Sequence, residues 1–107
     1  MSKRVFLIVL DSFGIGAAPD AANFGDAGAN TLASVAGTDV LSIPNLTNFG
    51  LGSVDGVSSI EKVAAPLATV ARLQERSMGK DTTTGHWEMA GIISDAPMPT
   101  FPRGISA

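Results

Sequence analysis

At 107 residues the chain has the size of one domain with a modest core, and a formal charge of −3 with no Lys/Arg cluster makes nucleic acid an unsuitable partner. With no cysteine, disulfides play no part. The one unbroken apolar run, residues 5–10, is too short for a membrane span or a secretory signal, so a soluble, cytoplasmic setting is expected.

Aliphatic residues and alanine dominate and aromatics make up only 6%, as in α/β cores. Residues 4–10, Arg-Val-Phe-Leu-Ile-Val-Leu, read as a strand buried on both faces, at the centre of a parallel or mixed sheet flanked by helices. The run ends at Asp11-Ser12-Phe13-Gly14-Ile15-Gly16. In open α/β sheets ligands bind beyond the carboxyl ends of strands, which makes Asp11 a candidate metal or phosphate ligand. The competing reading is a turn-forming Asp among glycines. Gly14-x-Gly16 is half of a dinucleotide fingerprint, but the third glycine is missing and the acid precedes the glycines.

A Gly/Ala/Pro/Asp-rich loop then runs to about residue 27. A helix is expected over 28–36, started near Asn30-Thr31 and stopped by Gly37, and a short one over 45–50 with Asn45 as N-cap behind Pro44. Residues 51–64 fit loop or helix fragments. Residues 67–73 read as a second strand, mildly alternating and ending in polar residues. A last helix is expected over 84–91, broken by Gly91, ahead of an extended tail with Pro97, Pro99 and Pro102. No internal repeat or heptad is visible, and Met78 and Met89 read as packing residues.

Residues 80–88, Lys-Asp-Thr-Thr-Thr-Gly-His-Trp-Glu, concentrate phosphoryl-transfer chemistry. A Thr run ahead of a helix presents hydroxyls beside backbone amides that face an anion. The same pattern also caps a helix, and the Asp11 motif is what tips the balance toward chemistry. Phosphoryl transfer needs charge neutralisation and in-line positioning, and an acidic chain meets the first need with carboxylate-held cations. A divalent metal lowers the proton affinity of a bound hydroxyl, and oxygen-rich ligands suit Mn²⁺. Asp11 at the end of one strand and the threonines beyond the other would meet at one sheet edge. Residue chemistry leaves Thr82, Thr83 and Thr84 equally eligible. Lys80 offers phosphate a point charge, though a solvated loop lysine is the commoner role. Trp87 is expected to pack the helix on the sheet, and Asp81 and Glu88 to anchor the loop by capping or local hydrogen bonds.

The string Val9-Leu10-Asp11-Ser12-Phe13-Gly14-Ile15-Gly16, together with Gly79-Lys80-Asp81-Thr82-Thr83-Thr84-Gly85-His86-Trp87-Glu88, resembles the N-terminal part of the phosphopentomutase family, within the alkaline phosphatase superfamily. Phe24-Gly25-Asp26-Ala27-Gly28-Ala29-Asn30-Thr31-Leu32 and Ile43-Pro44-Asn45-Leu46-Thr47-Asn48-Phe49-Gly50-Leu51 support it. The resemblance extends to about Pro102 and weakens over the last residues. The Lys-Asp-Thr…Gly-His-Trp-Glu block sets it apart from cofactor-independent phosphoglycerate mutases, which carry a Ser-containing variant.

The resemblance implies an α/β, alkaline-phosphatase-like core with a largely parallel or mixed sheet. Residues 1–96 would be the N-terminal part of the metal-binding core, and 97–107 a Pro-rich segment leading toward a cap domain. It implies an isomerase of nucleoside catabolism that interconverts (deoxy)ribose 1-phosphate and 5-phosphate through a phosphothreonine enzyme and a bisphosphate. The implied nucleophile is the hydroxyl directly after the Asp, Thr82, and the implied metal ligands here are Asp11 and Thr82. Two divalent cations, Mn²⁺ for preference, and a sugar bisphosphate activator such as glucose 1,6-bisphosphate are implied cofactors. The remaining ligands, Asp and His residues, come from later parts of such enzymes. His86 is therefore expected to pack or hydrogen-bond, and these residues alone are expected to be inactive. Alternatives are another metal-dependent phosphatase or phosphotransferase of the superfamily, or a non-catalytic module. Oligomeric state and substrate-contacting residues are not legible.

Overall fold

A computed structural model describes residues 2–105. The chain divides into two units, the first through Arg72 and the second from Leu73.

In the first unit, order comes from short helices with local stops. A 3₁₀ turn, Ala21–Phe24, closes on Gly25, whose left-handed φ of 75° lets its N–H reach back to the Ala21 and Ala22 carbonyls. Helix α1, Thr31–Ala36, begins where Asn30 Oδ1 accepts the Ala33 N–H at 2.9 Å and ends at Gly37, as the sequence suggests. Helix α2, Pro44–Phe49, starts earlier than expected. Pro44 occupies the first turn, where its ring presets φ and its lack of an N–H costs nothing, so the cap position falls on Ile43 and not on Asn45. Gly50 ends α2 in the left-handed region, and a 3₁₀ turn, Leu51–Ser53, follows directly.

These pieces enclose a small core of Leu32, Val54 and Val57, with Phe13, Ile15, Leu41, Ile43, Leu51, Ile60 and Val70 partly buried around it. The stretch 51–64, ambiguous by periodicity, therefore supplies two of the three core side chains. Gly52 is buried, and a Cβ there would overlap the carbonyl of Glu61. Only a glycine lets the 3₁₀ turn lie against the 60–61 backbone.

The expected α/β core is not formed: among the described residues there is no strand and no sheet. Residues 4–10 are exposed, with Val5 at 95% and Ile8 at 81%, and residues 67–73 are exposed except for the partly buried Val70, with Leu73 at 90% exposure. The composition of both segments suits a strand, but a strand exists only through a ladder of hydrogen bonds to a neighbour. No described segment provides that ladder. Trp87, at 43% exposure, consequently has no sheet to pack against, and Met78 and Met89 are exposed instead of packed.

In the second unit, helix α3, Thr82–Met89, begins at Thr82, two residues before the expected start. Asp81, extended at ψ 151°, is its N-cap. The helix ends in a Schellman motif in which the Ile92 N–H donates to the Trp87 carbonyl and the Gly91 N–H to that of Glu88, with Gly91 at φ 93°. The segments on either side of α3 are tied together: the Ser94 N–H donates to Ser77 Oγ at 3.1 Å and the Met78 N–H to the Ser94 carbonyl at 2.9 Å. The tail from residue 97 carries no helix or strand and turns where the Gly104 N–H meets the Phe101 carbonyl; residues 106 and 107 of the expected 97–107 segment lie outside the described residues.

Gly52→Ala should destabilise the first unit by about 1–3 kcal/mol, the usual range for overpacking, because the obstacle is backbone and cannot rotate away. Urea unfolding followed by circular dichroism measures it, with Gly85→Ala, a position with open space, as the control. An unchanged midpoint in Gly52→Ala would show that the 60–61 backbone is not held there.

Candidate active site

Asp11 lies on an exposed turn of the first unit. Its Oδ1 accepts the N–H of Ser12 at 2.9 Å, and Ser12 adopts φ 57°, the one non-glycine residue with positive φ among those described. A left-handed serine is strained by roughly 1–2 kcal/mol, and such strain concentrates at functional turns. The loop then rests on the start of α1: the Leu32 N–H donates to the Gly14 carbonyl at 2.8 Å, and a Cβ on Gly14 would come 3.3 Å from Thr31 Oγ1. Close approach to Thr31 is the reason for a glycine at 14.

The head of α3 differentiates the three threonines. Thr82 and Thr83, the first two helical residues, are exposed. Thr84 is completely buried, its N–H donating to Asp81 Oδ1 at 2.9 Å and its hydroxyl to Asp81 Oδ2 at 2.7 Å. A hydroxyl so committed and withdrawn is unavailable as a nucleophile, which leaves Thr82 and Thr83. The bond from the Thr84 hydroxyl, and then that from its amide, holds the Asp81 carboxyl below its ordinary range, since both stabilise the charged form.

Glu88, on the same helix, reaches back to the loop before it. Its Oε1 accepts the Arg76 N–H at 2.8 Å and its Oε2 the Ser77 N–H at 2.7 Å. The Ser77 hydroxyl, followed by these two amides, lowers the Glu88 pKa from 4.5. His86 Nδ1 stands 2.7 Å from the Thr82 carbonyl oxygen. A carbonyl has no proton to give, so Nδ1 carries the hydrogen and donates, consistent with the expected hydrogen-bonding role. Lys80 is exposed.

Asp11 belongs to the first unit and Thr82 to the second. The adjacent-strand argument for joining them has no support in the fold, because neither strand forms. Among the described residues no group of three or more His, Asp, Glu or Cys side chains is placed to hold a metal ion. A shallow groove of about 380 Å³ in the first unit, lined in part by Ala36, Leu41, Pro44, Ser59 and Glu61, contains none of the candidate residues. No described helix is long and apolar enough to cross a membrane.

Sequence reasoning missed the buried hydroxyl of Thr84 and the Ser77–Ser94 tie. A signal for the first was available: Asp81 and Thr84 have the N-cap-to-N3 spacing of a capping box, with Thr where Glu or Gln usually stands. The second joins residues distant in sequence and left no local mark.

No protein-family model matches the chain. Curated relatives do. It is 56% identical over 104 residues to the phosphopentomutase of Lachnoclostridium phytofermentans, covering 96% of this chain and 27% of that protein. It is 52% identical to the phosphopentomutase of Acetivibrio thermocellus with the same coverage, and 52% identical over 106 residues to that of Clostridium novyi. The chain matches the N-terminal part of phosphopentomutases. It spans about a quarter of the length of those relatives, 27% in each case. At 96% coverage of the chain, both the Asp11 turn and the head of α3 fall inside the phosphopentomutase match.

The Glu88 anchor has a definite pH signature. Its folded pKa lies below 4.5, so its contribution to stability is complete above pH 4.5 and disappears as pH falls through the lower folded value. Glu88→Gln should therefore melt lower than the parent at pH 7, with the gap closing below pH 4.5. A gap in thermal midpoint that stays constant across that range would show that the carboxylate charge plays no part.

Proposed function

We propose that these residues serve a phosphopentomutase, and that Thr82 carries the phosphoryl group in the complete enzyme. The observation that carries the reading is the division of labour in the threonine run, within a segment 56% identical to a phosphopentomutase. Thr82 presents an exposed hydroxyl at the first position of α3, whereas the hydroxyl of Thr84 is buried and bonded to Asp81. The N-terminus of α3 also carries the positive end of the helix dipole, which favours a phosphate there.

In the forward direction, the 5-hydroxyl of a (deoxy)ribose 1-phosphate attacks phosphorus on phospho-Thr82. The Oγ–P bond breaks as the sugar O–P bond forms, and the proton lost from the sugar hydroxyl is balanced by one taken up on the freed Thr82 Oγ, the return step running the exchange in reverse. The resulting 1,5-bisphosphate turns round and returns its other phosphoryl group to Thr82 Oγ, releasing the 5-phosphate. Such displacement demands an accessible, rigidly placed oxygen and little covalent machinery from the protein. Priming by a sugar bisphosphate such as glucose 1,6-bisphosphate fits this cycle, and the reaction belongs to nucleoside breakdown in the cytoplasm.

Two divalent cations, Mn²⁺ for preference, are the proposed cofactors, with Asp11 and Thr82 contributing oxygen ligands; bound, such ions neutralise charge on the transferring phosphoryl group. Taken alone, the described residues do not fit a two-metal centre, since they contain no cluster of three or more His, Asp, Glu or Cys side chains. The 107-residue chain by itself is accordingly proposed to be inactive.

The test uses a hybrid in which this chain replaces the matched segment of the Acetivibrio thermocellus phosphopentomutase. Thr82→Ala should abolish interconversion of ribose 1- and 5-phosphate, and Thr83→Ala should leave measurable turnover. Mass spectrometry should find phosphate on Thr82; phosphate on Thr83 with Thr82 unmodified overturns the assignment.

Asp11→Asn in the same hybrid should weaken Mn²⁺ binding, read by calorimetry, by at least about tenfold, the loss that disturbing an outer-shell partner alone produces. Undiminished Mn²⁺ affinity would reduce Asp11 to a turn residue.

A further inference from the structure

Thr84 is the most completely buried side chain among the described residues, at 0% exposure, although it sits in the first turn of a helix next to two exposed threonines. Capping does not require its hydroxyl. An N-cap Asp is satisfied by the backbone N–H two or three residues on, which any residue but proline supplies. Here the same residue takes both carboxylate oxygens, its N–H on Oδ1 at 2.9 Å and its hydroxyl on Oδ2 at 2.7 Å. Two bonds from one residue fix the rotation of the Asp81 carboxylate, where one would leave it free to swing.

The opposite side of the pair is closed by backbone. Gly79 is buried at φ 141°, and a Cβ on it would lie 3.3 Å from Asp81 Oδ2 and 3.5 Å from Thr84 Oγ1. The chain therefore passes directly over the Asp81–Thr84 contact, at a position where only glycine is both unstrained and small enough. Asp81 is held from residue 79 on one side and residue 84 on the other, and Thr82 is the next residue along.

We propose that Thr84 is a positioning residue for phosphoryl transfer: its buried hydroxyl locks the Asp81 side chain and so fixes the backbone from which the Thr82 hydroxyl projects. This rests on the reading of Thr82 as the phosphoryl carrier. In-line displacement is steep in geometry, and a misplacement of about 1 Å costs on the order of 100-fold in rate. The hydroxyl of Thr84 never touches the sugar, so its loss acts on the chemical step and not on substrate binding.

In the hybrid enzyme, Thr84→Val keeps the shape and removes the hydroxyl, Thr84→Ala removes it with least steric risk, and Thr84→Ser retains it. We expect kcat for ribose 1-phosphate to fall roughly 10- to 100-fold in Thr84→Val and Thr84→Ala, with KM within about twofold, and Thr84→Ser to stay within about threefold of the parent. Thr84→Ala or Thr84→Val at the parental rate overturns the inference, as does a Thr84→Ser variant that loses as much as they do. Thr82→Ala separates the two readings. An inactive Thr82→Ala beside a fully active Thr84→Ala sinks only the positioning role, whereas a fully active Thr82→Ala sinks the carrier assignment and the positioning role with it.

Discussion

A backbone hydrogen bond needs a partner, and most partners within each unit of this chain lie close by in sequence. Each helix is short, and each is bounded by a device its neighbours supply: Asn30 at the head of α1, Pro44 in the first turn of α2, Asp81 at the head of α3, and glycines at 37, 50 and 91 beyond their ends. Where a segment depends on a remote ladder, no strand forms among the described residues. Residues 5–10 have the composition of a doubly buried strand and are exposed along their whole length. The core of the first unit, three buried aliphatics under partly buried neighbours, includes none of them. Burying one such side chain is worth about 1.5–3 kcal/mol, so the run represents a large unmet demand.

The legibility of the sequence followed the same division. Asn30 and Gly37 announced α1 because a side-chain cap and a glycine stop are written in single residues. The anchoring roles of Asp81 and Glu88 were legible for the same reason, with Glu88 reaching the amides of Arg76 and Ser77. The α2 start was misplaced because two local signals competed, and the fixed ring of Pro44 outranked the side chain of Asn45. The sheet was misread because β-composition describes what a segment suits, while the ladder depends on a second segment that composition does not locate. Gly52 and the contribution of residues 51–64 to the core were invisible, since a glycine chosen for close approach to a distant carbonyl looks like any loop glycine.

For the candidate site, the motif residues were legible and their separate fates were not. Asp11 and the threonine run stand out by spacing and by their resemblance to a family, and the relatives place both in the N-terminal part of phosphopentomutases. Spacing cannot say that Ser12 is forced to positive φ beside Asp11, or that a carboxylate near the proposed phosphate already has both oxygens bonded. The second point matters electrostatically. An unbound carboxylate next to phosphothreonine would repel it, whereas hydrogen bonds from Thr84 disperse part of that charge away from Thr82.

Three chemically identical hydroxyls in a row are thus told apart by helix geometry. At the first helical position the side chain projects from the helix head, outside the last satisfied amide. At the third it meets the N-cap, because N-cap and N3 lie on the same side of the first turn. A run of threonines starting one residue earlier or later would put a different hydroxyl at each station, so the register of α3 against Asp81 decides which oxygen is available. That register is held from outside the helix as well as within it. Gly79, in the preceding loop, leaves room for the Asp81–Thr84 pair that a Cβ would crowd, and Glu88 ties residues 76 and 77 of that loop back to the helix. The loop and the helix are therefore bonded to each other, and the Thr82 hydroxyl projects from a helix head held by contacts made without it.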